Sequence, residues 1–268
     1  MKLLLFITLL LCAVQASAKC TGQVLKEGPA LKLDDRPVLI ATHASSSFDS
    51  NFAAKRGIDD AVQYAHEMNM QVVYVQDDPS DSNYYFDDCK PDSWVHSESG
   101  SLEFDIPSSE VYLVGGHLEL CLSNSLTTLV DRWNRQPPRN RTVNIFMDAV
   151  YSNGKSVDES MPFFNDVQKL MQIRAYGHPA GEHWGKASLL EIMAAILKPE
   201  QQLRYARSVL PPWERNLPPG YRVELQIDDA APQVLRPGPR LGAPVLKFRF
   251  LDSANFLRHK LLYPPTSG

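Results

Sequence analysis

Four apolar runs punctuate the first half of the chain: Pro37–Thr42, Gln71–Val75, Val111–Val114 and Val143–Met147. Each is short, continuous rather than alternating, and bounded by polar or turn-forming residues. That pattern belongs to strands buried on both faces of a parallel sheet. Between the first two runs, Ile58, Ala61, Val62, Ala65 and Met68 are spaced as one face of a helix that starts near Gly57. Asp59 and Asp60 suit its positive end, and Asn69 suits its close. A strand, a helix and a strand within about forty residues make a βαβ unit with a right-handed crossover. The third run breaks at Gly115-Gly116, and Leu122, Leu126, Leu129, Val130 and Trp133 then fall on one helical face. Residues 77–100 read as a long acidic and aromatic loop, the kind that forms a lid or a binding surface. Partial alternation from Trp94 to Ile106 predicts a hairpin, and Phe163–Ile173 and Ser188–Leu197 predict further helices. Beyond residue 199 proline becomes frequent. There Tyr221–Ile227 and Pro244–Leu251 alternate as strands do, which predicts a hairpin around a Pro/Gly-rich loop at 232–243. The expected architecture is α/β: a Rossmann-like three-layer sandwich on a mainly parallel sheet over residues 19–198, with a β-containing C-terminal extension over 199–268.

The first residues alter the compartment. Met1-Lys2, the apolar run Leu3–Val14 and the small residues Ala16-Ser17-Ala18 form the pattern of a secretory signal peptide over residues 1–18. The expected location is secreted or periplasmic, with no membrane span after cleavage. Cleavage leaves Cys20, Cys89 and Cys121, an odd count in an oxidising compartment. Pairing Cys20 with Cys89 leaves Cys121 free. The other two pairings stay open, and a bond from Cys89 to Cys121 would end any nucleophilic role. The net charge of −4 is mild and the basic residues are scattered, so nucleic acid is not an expected partner. A small-molecule ligand is, and a homo-oligomer is compatible with the chain. Asn140-Arg141-Thr142 is an N-glycosylation sequon, meaningful where the host modifies such sites.

Open parallel sheets hold ligands at the carboxyl ends of their strands. His43 follows the first run directly, in the loop His43-Ala44-Ser45-Ser46-Ser47-Phe48. Cys121 stands at the first turn of a helix, whose partial positive charge favours a thiolate. The alternative is a small apolar residue packed under the turn. Metal ligation finds little support. Asp77, Asp78, Asp81, Asp87 and Asp88 lack the ligand spacing of an EF-hand loop and read as solvated loop acids. His178 and His183 are separated by Pro179 and Gly181, which matches no zinc pattern. His117 and Glu119, with His43 and Cys121, are a ligand set that zinc accepts, but they read better as polar residues of a turn. Neither a metal nor a cofactor is expected.

The order strand, loop, helix, strand, loop, strand-Gly-Gly-turn-Cys-helix, strand-Asp-Ala resembles the isochorismatase-like cysteine hydrolases, a superfamily that includes nicotinamidases. Gly116, Cys121, Leu122 and Ser125-Leu126 take the places of its cysteine motif, and Asp148-Ala149 close the following strand as the family's typically does. Gly57-Ile58-Asp59 and Val72 to Asp77 resemble its first helix and second strand. The likeness spans roughly residues 36–160. It implies a nucleophile at Cys121 and backbone N–H groups around an oxyanion; Phe48, Gln76, Gly116, His117 and Glu119 are the candidate substrate-binding residues around it. It also implies an aspartate base at the end of the first strand and a lysine. This chain has His43 at the aspartate's place, five residues before Phe48, and Lys90 at about the lysine's distance before Gly116. Two readings follow: a non-catalytic small-molecule-binding or scaffold protein on an inherited fold, or a divergent hydrolase of a small amide in which His43 serves Cys121 as base.

Overall fold

The computed structural model describes residues 31–49, 54–78, 80, 83–86, 91–117, 120–151, 219–227 and 229–253. The signal-peptide pattern, Cys20, Cys89, Lys90, Glu119 and the two expected helices of 163–197 lie outside them. In the first half the apolar runs form the strands they predict: β1 (Val38–Thr42), β2 (Gln71–Gln76), β4 (Glu110–Gly115) and β5 (Arg141–Phe146). β1 and β2 are buried at every position, which is why they read as continuous apolar runs. The remaining strands are β3 (Ser93–His96), β6 (Arg222–Ile227), β7 (Gln233–Arg236) and β8 (Val245–Leu251). Helix α1 (Lys55–Glu67) buries Ile58, Ala61, Val62 and Ala65, and helix α2 (Cys121–Asn134) buries Leu122, Leu126, Leu129, Val130 and Trp133.

The strands share one eight-stranded sheet in the order β3-β2-β1-β4-β5-β8-β6-β7, parallel except for the β6–β7 pair. β2 lies on one side of β1 and β4 on the other, with Thr42 opposite both Val75 and Gly115. The chain therefore winds in one direction from β1 to β2 and in the other from β4 to β5. Right-handed crossovers then put α1 and α2 on opposite faces, as the expected sandwich requires. α1 sits hard on the 3-10 turn Met147–Ala149 that follows β5, since a Cβ on Gly57 would fall 2.2 Å from the Asp148 carbonyl oxygen. Among the described residues, no helix is long and apolar enough to cross a membrane.

Two expectations need correction. The alternation from Trp94 to Ile106 does not make a hairpin. β3 is an edge strand parallel to β2, and Leu102–Ile106 runs without strand structure. Its carbonyls are taken by side chains of α2, Arg132 Nε on Leu102 and Trp133 Nε1 on Ile106. Leu102 and Ile106 are buried beneath it. The second correction concerns the C-terminal runs. They do not pair as a hairpin or form a separate β element. β6 turns into β7, which pairs with it antiparallel, and β8 returns between β5 and β6, parallel to both. Leu246, Phe248 and Phe250 sink into the common core. Alternation marks a strand and its buried face, but not which neighbour it pairs with.

Candidate functional site

The order of strands reverses between β1 and β4, so the crevice at their carboxyl ends is the natural ligand position of this sheet. The approach there is close. Gly115 and Gly116 both have φ of +69°, and a Cβ on Gly115 would fall 2.2 Å from the Thr42 carbonyl oxygen. Only glycine meets both demands without strain. The turn they make brings α2 back over the strand end. There the Cys121 sulfur accepts the N–H of His117 at 3.1 Å. A Cβ on Gly116 would meet that sulfur at 3.4 Å and the Leu122 nitrogen at 3.1 Å.

Cys121 is a free cysteine and only 7 % exposed. Burial pushes its thiol up from the ordinary value, while the N–H groups of His117, Cys121 and Leu122 pull it down and the Asp77 carboxylate adds a smaller push upward. Burial outweighs the helix end, so the thiol, not the thiolate, is the form held at neutral pH.

His43 takes its expected position directly after β1 and is 2 % exposed. Its φ of +46° is a left-handed conformation that non-glycine residues adopt at a cost, and such outliers gather at functional sites. Its backbone N–H bonds the Val75 carbonyl, and its Nε2 lies 2.8 Å from the Ser97 carbonyl oxygen. A carbonyl can only accept, so that contact makes Nε2 the protonated nitrogen. In the neutral ring Nδ1 is then the basic atom. The same Nε2 lies 3.9 Å from Asp77 Oδ1, a contact that becomes an ion pair when the ring is charged. Phe48 stacks on the imidazole at 5.3 Å.

Of the other expected site residues, the described ones, Gln76, Gly116 and His117, fall nearby. Gln76 is buried at the end of β2, and its carbonyl accepts the N–H of Ser97. The Gly116 carbonyl accepts the N–H of Tyr151, whose ring meets that of His117 edge-on at 5.6 Å. Three contributors are not read from the sequence. Asp77 has the sequence surroundings of a solvated loop acid, but it follows β2 directly and stands beside His43. Position alone marks it, because it closes a buried strand next to β1. Residues Ser97–Gly100 form the second contributor. The Ser97 carbonyl holds His43, the Ser99 carbonyl takes Asn124 Nδ2 at 2.9 Å, and the Gly100 carbonyl takes Ser125 Oγ at 2.7 Å. This short loop ties β1 to the cysteine helix, and no motif announces it. Tyr151 is the third. Its hydroxyl receives the N–H of Ser45, and burial holds its phenol far above the ordinary value. Among the described residues no cluster of His, Cys, Asp and Glu could hold a metal ion.

No protein-family model matches the chain, and no curated protein matches it. Several solved structures are similar, among them the following three. N-carbamoylsarcosine amidase from Thermoplasma acidophilum is 16 % identical with a TM-score of 0.36, and the match covers 50 % of this chain and 93 % of that one. The MAR1 ribonuclease from Caenorhabditis elegans is 16 % identical with a TM-score of 0.34, covering 62 % and 91 %. A protein from Oleispira antarctica assigned as an isochorismatase hydrolase is 11 % identical with a TM-score of 0.34, covering 53 % and 91 %. Likeness at this level concerns the fold, and the activities in those names belong to those proteins. What this chain itself presents is an α/β protein with a mainly parallel sheet and a buried cysteine at its strand-turn-helix crevice.

Proposed function

We propose that the protein is a secreted or periplasmic, non-catalytic member of the isochorismatase-like type, serving as a small-molecule-binding or scaffold protein. The observation that carries this reading is the state of the two groups that would have to react. Cys121 is buried with its thiol pushed up, and His43 is buried beneath Phe48 with Nε2 turned to a carbonyl. A nucleophilic cysteine needs the opposite, a lowered value and access to substrate. Replacement of the family's aspartate by His43 agrees with the same reading. The leader-like pattern of residues 1–18 supports export. The test is incubation with a panel of small amides and related C–N compounds, read by mass spectrometry for both bound and converted species. Retention of an intact compound without conversion supports a binding role. Conversion that disappears in Cys121→Ala overturns it.

A second reading, a divergent cysteine hydrolase, is favoured by one contact. Asp77 Oδ1 at 3.9 Å from His43 Nε2 would stabilise an imidazolium formed when Nδ1 takes the thiol proton. Under that reading His43→Ala and Cys121→Ala each abolish conversion, and Asp77→Asn lowers its rate.

A further inference from the structure

Asn140-Arg141-Thr142 is the sequence's single Asn-X-Ser/Thr triplet with X other than proline. Its residues have three different surroundings. Asn140 is exposed, directly ahead of β5. Arg141 is 2 % exposed, its Nη1 on the Ser108 carbonyl at 3.0 Å, its Nη2 on Gln136 Oε1 at 2.6 Å, and its guanidinium 4.8 Å from the Trp133 ring centroid. Thr142 is half-buried within β5, facing Glu110 on one side and Lys247 on the other. The middle residue is therefore anchored, while the residue that would be modified is exposed.

Among the described residues, the Asn140 side chain has one structural task. Its Oδ1 accepts the N–H of Val245 at 2.9 Å and so joins the start of β5 to the start of β8. Carbohydrate attaches to the other amide atom, Nδ2. In the transfer, Nδ2 forms a C–N bond to the anomeric carbon of a lipid-linked oligosaccharide. The C–O bond to its pyrophosphate breaks, the pyrophosphate departs on the lipid, and Nδ2 gives up one proton. Oδ1 keeps both lone pairs, so the bond to Val245 survives. Asn140 is also exposed to solvent rather than packed against a neighbouring element. Asn140 stands at the amino ends of the strands, whereas His43, Asp77 and Cys121 stand at the carboxyl ends. A glycan here leaves the candidate site uncovered.

We infer that Asn140 is an N-glycosylation site, modified on Nδ2 when the chain enters a secretory pathway that contains an oligosaccharyl transferase, with Oδ1 still holding the N–H of Val245. The inference rests on the reading of export, so the two are tested separately. The full chain is expressed in a eukaryotic secretory host, once with its own first 18 residues and once with a foreign leader in their place. Failure of the first to reach the medium while the second does counts against export alone. For the second, the expected result is one glycan. A single mass step is lost on treatment with peptide:N-glycosidase, which leaves an aspartate at position 140. Thr142→Val, which keeps the branched shape of the strand residue, loses the step, and Thr142→Ser retains it. Peptide mapping of the secreted wild type gives the same answer if a variant fails to fold. Secreted protein whose peptide spanning residue 140 is wholly unmodified overturns the proposal.

Discussion

Gly57→Ala sets helix propensity against packing at one position. Within a helix, alanine is favoured over glycine by about 1 kcal/mol, so propensity alone makes the substitution stabilising. The surroundings decide otherwise. An ideal Cβ at Gly57 would fall 2.2 Å from the Asp148 oxygen, 2.6 Å from its carbonyl carbon and 2.9 Å from the Ala149 nitrogen. All three are backbone atoms of the 3-10 turn behind β5, and Asp148 is itself held there by Ser253, whose N–H lies 3.0 Å from Oδ1 and whose Oγ lies 2.5 Å from Oδ2. No side chain can rotate away, so α1 and the turn must part by about 1 Å to reach ordinary van der Waals separation. Overpacking costs roughly 1–3 kcal/mol, and a rigid backbone neighbour belongs at the upper end. The net expectation is a loss of about 2 kcal/mol, equivalent to a fall in Tm of roughly 4–8 °C for a chain of this size. Urea unfolding of both forms, followed by far-ultraviolet circular dichroism, reads the difference directly as a shift in midpoint at unchanged slope. An alanine variant as stable as the wild type, or more stable, would refute the close approach of α1 to the turn.

Other predictions follow from the crevice and the core. The thiolate absorbance of Cys121, taken as the difference between wild type and Cys121→Ala, should rise only above the ordinary thiol range, and Asp77→Asn should move that rise to lower pH by removing a negative charge; a rise below the ordinary range would contradict the buried-thiol reading. Ser125→Ala removes the hydroxyl that meets the Gly100 carbonyl at 2.7 Å and Thr42 Oγ1 at 3.0 Å, so it should cost about 1–3 kcal/mol and speed amide exchange at residues 97–100; unchanged exchange there would show that the tie does not hold the loop. Tyr64, Tyr112 and Tyr151 all have phenols raised by burial. Each favours the neutral form in the folded state, so its contribution to stability is complete below the ordinary phenol value of about 10 and shrinks as pH rises above it. Tyrosinate absorbance from these three should therefore appear together with alkaline unfolding, and a smooth titration of all ten tyrosines before unfolding would argue against it.

Much of the architecture was legible in the residues because burial and periodicity are local properties. β1, β2, β4 and β5 are short apolar runs because both their faces are covered, and α1 and α2 carry a stripe because only one face is. The same logic placed His43 at the end of a strand and Cys121 at the start of a helix. Pairing partners are not local. β8 alternates in the same way whether it closes a hairpin with β6 or lies parallel between β5 and β6, and only the assembled sheet decides. The site divides along the same line. Gly115-Gly116 and Cys121 form a sequence pattern, so the turn and the start of the helix were readable. The protonation that burial imposes on Cys121 was not. A helix terminus predicts a lowered thiol, and burial under Gly100, Gly116 and the 97–100 loop reverses the sign. Asp77 and Ser97 joined the site for the same reason. Their distance from His43 is set by how β1, β2 and β3 lie side by side, and Coulomb and desolvation energies depend on distance and surroundings rather than on order along the chain.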